Sequence, residues 1–312
     1  MSPSFVSARA AAHDAAAGQH YPAGTLYVVG TPIGNLADIT LRALHVLQLA
    51  DAIACEDTRH TQQLLRAYGI DRPGSALLAL HQHNEAEAAQ QVIARLREGQ
   101  RVACVSDAGT PAVSDPGARL VAAVHAAGLR AAPVPGASSV TAALSVAGAG
   151  ASPAAGAGFV FAGFLPAKGA ERSAALQQLA GEPRSVVLLE APHRMRALAR
   201  ALAPLGERRV TVGRELTKQF EEVATCRADQ LEAWMANDPN RERGEFALVL
   251  HPAEVASDTE AAAQRTLQLL LKELPTKTAV RLAAELTGAP RNALYVLALQ
   301  LQAQEAGEPP PG

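Results

Sequence analysis

Thr25-Leu26-Tyr27-Val28-Val29 runs directly into Gly30-Thr31-Pro32-Ile33-Gly34-Asn35. Five residues of strand-forming type followed by glycine, proline and asparagine read as a buried strand ending in a tight turn. A helix is expected after Asp38, then a second apolar run, Ala52 to Cys55, and a helix over about 58–68. The same alternation continues outward, which is the rhythm of an α/β sheet containing parallel strands. Asn84 followed by Glu87 has the spacing of a capping box and opens a helix that Gly99 closes. A strand over 101–106, a long Gly/Pro loop, a helix over about 117–127, a short strand over 131–134 and the run Pro135-Gly136-Ala137-Ser138-Ser139 before another helix complete this half.

Residues 148–158 are almost wholly glycine and alanine, cannot bury a face, and read as a flexible connection. Beyond them, strands over 159–162, 185–189, 209–213, 220–227 and 245–250 are more closely spaced and antiparallel in character. The expected fold class is therefore α/β, with two α/β domains over 25–148 and 159–251. A helix-turn-helix-like segment over 259–303 follows, broken at Leu274-Pro275 and at Thr287-Gly288-Ala289-Pro290, with a tail over 304–312. Residues 1–24 read as a disordered leader.

A length of 312 residues fits two domains of ordinary size. The formal net charge of -2 argues against nucleic-acid binding through overall charge, so any such contact needs a local patch. Such a patch stands between Arg184 and Lys218, where eight Arg/Lys face three Glu. The 120–134 stretch is interrupted by His125 and Arg130 and falls short of the roughly 20 apolar residues that cross a bilayer, so no membrane is expected. Cys55, Cys104 and Cys226 are too scattered for a disulfide framework or a zinc site, and the cytoplasm is the expected compartment. His81, His83 and Glu85 are close in sequence but lack a fourth ligand, and no metal is expected.

Three Gly/Pro loops, 30–36, 106–117 and 135–139, each follow a strand, and in α/β sheets such loops gather at the carboxyl edge. Any one of them by itself reads as a turn; together they imply a shared cleft. Neither GxxxxGK[ST] nor GxGxxG occurs, which argues against ATP and NAD. A nucleoside with a non-phosphate tail fits a backbone-lined cleft, and adenosylmethionine is one such molecule.

The ordered motifs Gly30-Thr31-Pro32-Ile33-Gly34-Asn35, Glu56-Asp57-Thr58-Arg59, Ser106-Asp107-Ala108-Gly109-Thr110-Pro111, Ser114-Asp115-Pro116-Gly117 and Pro135-Gly136 resemble those of the ribosomal RNA small subunit methyltransferase I family, within the tetrapyrrole methylases. The likeness continues through 163–168, 190–194, 214–218 and 291–295. Two positions depart from the family pattern: Leu189 stands where an aromatic residue is common and Ala137 where proline is usual. The resemblance implies a homodimer that methylates the ribose 2'-hydroxyl of a cytidine in the decoding centre of 16S rRNA, in the small ribosomal subunit, with S-adenosylmethionine held between the two domains.

On that resemblance the cofactor contacts are expected at Pro32, Ile33, Asp107, Gly109, Thr110, Val113, Ser138, Ser139, Leu189 and Ala247. Transfer to a hydroxyl calls for a proton acceptor or a cation facing the developing alkoxide. Asp57, Arg59, Glu190 and Lys218 are the candidates, with Asp107, Asp115 and Glu215 as further carboxylates that the sequence does not separate from them. RNA contacts are expected at Lys168, Arg194, Arg214, Lys277 and Arg291. Two other readings stay open: a methyltransferase acting on a small tetrapyrrole-like substrate, and a non-enzymatic RNA-binding assembly factor.

Overall fold

The computed structural model describes residues 5–81, 84–151, 158–253 and 258–306. Five strands, β1 (Thr25–Val29), β2 (Ala52–Cys55), β3 (Leu77–Ala79), β4 (Val102–Val105) and β5 (Arg130–Val134), form a sheet in the order β3-β2-β4-β1-β5. All its pairings are parallel. Strand side chains alternate between faces, and the apolar runs feed both. Tyr27, Ile53, Cys55 and Ala103 point to one face, and Leu26, Ala52, Ala54 and Val102 to the other. The first face is covered by α1 (Val6–Ala16), α2 (Leu41–Leu49) and α3 (Thr58–Ala67); the second by α4 (Glu85–Arg97) and α5 (Ala118–Ala126).

The expected disordered leader is instead ordered from Phe5 onward. Ala12 and Ala16 of α1 are buried, Phe5 sets its ring edge-on to Tyr68 at 5.1 Å, and Arg9 donates to the Gly69 carbonyl. Alanines that carry little amphipathic signal allow α1 to approach α2 closely, so its order comes from packing. The Asn84 capping box also fails to form. Asn84 Oδ1 accepts from His81 N–H at 2.8 Å, while its amide donates to the Ala79 carbonyl, so the side chain closes the preceding turn.

After α6 (Ser139–Ala147) come β6 (Phe159–Phe164), α7 (Gly169–Ala180), β7 (Ser185–Glu190), α8 (Pro192–Leu202), β8 (Arg209–Arg214), β9 (Glu222–Arg227), α9 (Leu231–Ala236) and β10 (Phe246–Leu250). The second sheet runs β6-β7-β10-β8-β9, parallel only between β6 and β7. Its outer face buries Met195, Leu198 and Leu202 of α8 with α7 and α9. Its inner face is covered by α6: Val140, Ala143 and Ala147 pack with Val187, Ala247 and Val249. The expected boundary at 148 therefore divides by sequence what packing joins, since α6 ends the first domain's chain but seals the second sheet. Of the expected flexible connection, residues 149–151 form a short 3-10 turn and 152–157 lie outside the described residues.

Three helices, α10 (Asp258–Glu273), α11 (Thr276–Thr287) and α12 (Arg291–Ala306), share a core of Leu267, Ala279, Val280, Ala283, Leu294 and Ala298. Gly288, at φ +73°, ends α11 in the left-handed conformation that glycine tolerates. The helix α12 takes in residues 304–306 of the expected tail, and 307–312 lie outside the described residues.

Candidate functional site

Strand order decides where the three Gly/Pro loops meet. Because β4, β1 and β5 are neighbours in a parallel sheet, the loops that leave their carboxyl ends are neighbours too. They are tied by main chain. Thr31 and Gly109 exchange hydrogen bonds of 2.8 and 3.1 Å, Gly30 N–H donates to the Val134 carbonyl at 3.0 Å, and Thr110 Oγ1 donates to the Ala137 carbonyl at 3.2 Å. Gly30 and Gly136 touch backbone to backbone: a Cβ on Gly136 would sit 2.6 Å from the Gly30 carbonyl oxygen. Only glycine allows this approach.

These loops form one wall of a cavity of about 340 Å³, and the second sheet forms the other. Eight of the ten expected cofactor contacts line it: Ile33, Gly109, Thr110, Val113, Ser138, Ser139, Leu189 and Ala247. Pro32 and Asp107 do not. Asp107 Oδ1 instead accepts from Asp57 N–H at 3.2 Å. Across the second sheet, register aligns Leu189, Ala247 and Gly213 in one row, and all three line the cavity. Phe161, Phe164, Leu216 and Glu245 join them and carry no local signal in the sequence, because strand register and the packing of α6 bring them there.

Of the four catalytic candidates only Glu190 lines the cavity. It is buried, Oε1 accepts from Ala191 N–H at 3.0 Å and lies 3.0 Å from Arg194 Nε, and Oε2 has no hydrogen-bond partner among the described residues. A buried carboxylate oxygen without a partner is costly to keep, and this one lies opposite Phe246 with its side chain closed to solvent. Asp57 caps α3 and pairs with Arg59, whose hydrogen bonds hold its carboxyl down to about 2. Lys218 bonds Glu215 at 2.9 Å and Glu245 at 3.0 Å, and its methylenes lie over Gly34, bridging the two domains. Burial pulls the Lys218 ammonium down, but those two carboxylates outweigh it and leave it raised. The loop that carries it is strained, with Glu215 at φ +51° and the β-branched Thr217 at φ +68°.

Carboxyls also gather in the first domain. Asp115 lines the cavity, and burial together with the Asp107 charge pushes it up against a Ser106 hydrogen bond. Glu56 is raised by burial and by Asp107 and Asp115. Glu85, close in sequence to two histidines, is spent on Gly117 N–H at 2.9 Å and Arg119 N–H at 3.1 Å, and His83 lies outside the described residues.

Most of the basic stretch from 184 to 218 is engaged within the protein. Seven of its eight cations have partners within the protein: Arg184, Arg194, Arg196, Arg200 and Lys218 in ion pairs, Arg208 and Arg214 on backbone carbonyls. Arg194 also donates to the Leu165 carbonyl, and Arg214 is 8% exposed, so both expected RNA contacts turn inward. Lys168 and Lys277 are exposed, while Arg291 lies 3.7 Å from Glu285, which also takes Arg281.

Residues 25–232 match the model of the Tetrapyrrole (Corrin/Porphyrin) Methylases, and 257–302 that of the RsmI C-terminal HTH domain. Among similar chains, Ribosomal RNA small subunit methyltransferase I of Xylella fastidiosa is 48% identical over 275 residues, covering 87% of this chain and 98% of that protein. The protein of the same name from Escherichia coli O157:H7 is 48% identical over 283 residues, covering 89% and 96%. The chain belongs to the ribosomal RNA small subunit methyltransferase I family. Within the wider fold, this family member resembles a cobalt precorrin-4 methyltransferase at TM-score 0.53 and 22% identity, over 74% of this chain and 98% of that one. A Thermus thermophilus uroporphyrin-III C-methyl transferase, solved with S-adenosyl homocysteine, aligns at TM-score 0.50 and 18% identity over 72% and 96%.

Proposed function

We propose that this chain methylates the ribose 2'-hydroxyl of a cytidine in the decoding centre of 16S rRNA, within the small ribosomal subunit, using S-adenosylmethionine. The observation that carries the reading is the cavity itself: backbone-built on one side, and holding a buried, half-satisfied glutamate on the other. The substrate comes from kinship with relatives named for ribosomal RNA methylation. The protein works as a homodimer in the cytoplasm, where small subunits are found.

The residues present suit the cofactor. Ile33, Leu189 and Ala247 would offer the cofactor apolar surface, and Gly109, Thr110, Ser138 and Ser139 would offer it main-chain and hydroxyl groups. When bound, the cofactor supplies a sulfonium methyl, and the group that leaves is neutral.

A ribose hydroxyl is a weak acid, so its proton must pass to a base as the oxygen attacks the methyl carbon. We assign that base to Glu190, whose side chain is closed to solvent beside Arg194 and whose Oε2 has no hydrogen-bond partner among the described residues. Phe161, Phe164 and Leu216 give the cleft an apolar lining. Lys218, fixed between Glu215 and Glu245, holds the two walls in register, and positioning of this kind supplies much of the acceleration of an in-line displacement.

The test uses methyl-labelled adenosylmethionine and small subunits lacking this modification. Label is expected in a ribose of 16S rRNA. A protein that binds the cofactor yet labels a corrinoid and no rRNA would overturn the reading, and a protein with no cofactor-binding heat would overturn the enzyme altogether.

A further inference from the structure

A second cavity, of about 330 Å³, opens on the outer edge of the first sheet beside β5. Arg42, Arg130, His20, Tyr21, Tyr27 and Pro135 are among the residues that line it, and no carboxylate does. Among the described residues neither guanidinium has a hydrogen bond or ion pair. Seven of the eight cations in the 184–218 stretch, by contrast, have partners within the fold. Two arginines free of carboxylates are held in one cavity, and such groups recognise phosphate by planar, multiply donated hydrogen bonds.

The aromatic side is built as well. Tyr21 is half-buried, with its ring 4.9 Å from that of His45 and 6.2 Å from that of Tyr27, so it is braced as a platform. The Tyr27 hydroxyl is occupied by the Pro22 carbonyl at 3.0 Å, and exposed His20 stands beside them. A braced ring next to unpaired arginines is the combination that stacks a base while holding its phosphate. The volume is that of a pocket for one nucleotide-sized ligand.

One loop also joins this cavity to the cofactor cavity. Pro135 lines it, and three residues later Ser138 and Ser139 line the cofactor cavity. Between them Gly136 is locked on Gly30, so the spacing of the two cavities is fixed by main chain.

We infer that this cavity binds a nucleotide of the substrate RNA flanking the methylated one, with Arg42 and Arg130 on its phosphate and Tyr21 and His20 against its base. The inference rests on the RNA methylation proposed above. Two lines carry it: the contrast between free and consumed cations, and the shared loop.

The test compares wild type with the Arg42→Gln, Arg130→Gln double variant, keeping the aliphatic stems, on unmethylated small subunits. KM for the subunits is expected to rise roughly tenfold or more. The slope of log KM against log salt is expected to flatten by about 0.7 to 0.9 for each phosphate that the variant no longer neutralises. The Arg42→Lys, Arg130→Lys variant should restore most of the slope. Adenosylmethionine affinity and melting temperature report that the variants are folded.

An unchanged KM and salt slope in the folded glutamine variant overturns the inference alone, leaving the methylation reading intact. Absence of rRNA labelling by wild type overturns both. A fall in native mass on substitution makes the cavity an interface with a second copy and likewise overturns the inference.

Discussion

Gly30 and Gly136 meet with no side chain between them on the first-domain wall of the cleft, whereas across from them Glu190, Arg194, Lys218, Glu215 and Glu245 form paired charges. The first wall is shaped by main chain: Thr31 with Gly109, Gly30 with Val134, and a loop passing through Ala112 at φ +66°. The second is shaped by ionised side chains held at short distance. A main-chain wall fixes shape and tolerates no added atom, so it suits an invariant ligand such as a cofactor. A side-chain wall can hold and move a proton, so it suits the chemistry.

The largest expected effect strikes the second wall. Glu190→Gln keeps the volume and the acceptor for Ala191 N–H but removes the charge, and kcat is expected to fall about 10²- to 10³-fold with adenosylmethionine affinity changed only severalfold. Steady-state labelling of small subunits and calorimetry read the two quantities. Equal loss of both would mean that Glu190 only holds the cofactor, and the division of labour would be lost.

Next comes the first wall. Gly136→Ala places a methyl 2.6 Å from the Gly30 carbonyl, a main-chain contact that cannot swing aside. Forced separation of this kind costs about 1–3 kcal/mol, and the expected signature is the inverse of the glutamate's: weaker cofactor binding and a lower melting temperature. A variant that binds as wild type does would show that the wall yields.

The difference between the walls also explains what could be read from the amino-acid order. Glycine and proline signal their conformation locally, so the three loops are legible without knowing the fold; the contact residues themselves come from the family resemblance, and six of the eight that line the cavity lie on these loops. On the second wall, Gly213 meets Leu189 only through the antiparallel register of β8, β10 and β7, and no local pattern encodes that. The cluster of positive charge from 184 to 218 hides its pairing for the same reason. Its partners Glu232, Glu242 and Glu245 lie far along the chain, so net charge over a window does not measure free charge. The helix α1 is silent because alanine carries no face until α2 is placed beside it.

Lys218 crosses from one wall to the other, and Lys218→Met keeps its packing over Gly34 while removing both ion pairs. The ammonium is about a quarter exposed, so the cost is expected to be modest, about 1 kcal/mol. Turnover should fall more than stability, since the strained turn at Glu215 and Thr217 loses its tie. Calorimetric melting and kcat separate these. A stability loss without any kinetic effect would make the bridge purely structural.

The smallest effect belongs to Asp115, the one ionisable side chain of the first domain that lines the cleft among the described residues. Burial and the Asp107 charge raise its carboxyl above the ordinary 3.8, against the Ser106 hydrogen bond. A carboxyl raised by folding contributes stability that is whole below 3.8 and disappears as pH rises through the folded value. At neutral pH the fold therefore carries a carboxylate it would rather hold neutral. Asp115→Asn imitates the protonated form, so it should melt above wild type at pH 7, with the gap closing as pH falls and gone below 3.8. If the asparagine variant melted lower at pH 7, the charged form would have a structural partner. The first wall would then depend on charge as the second does.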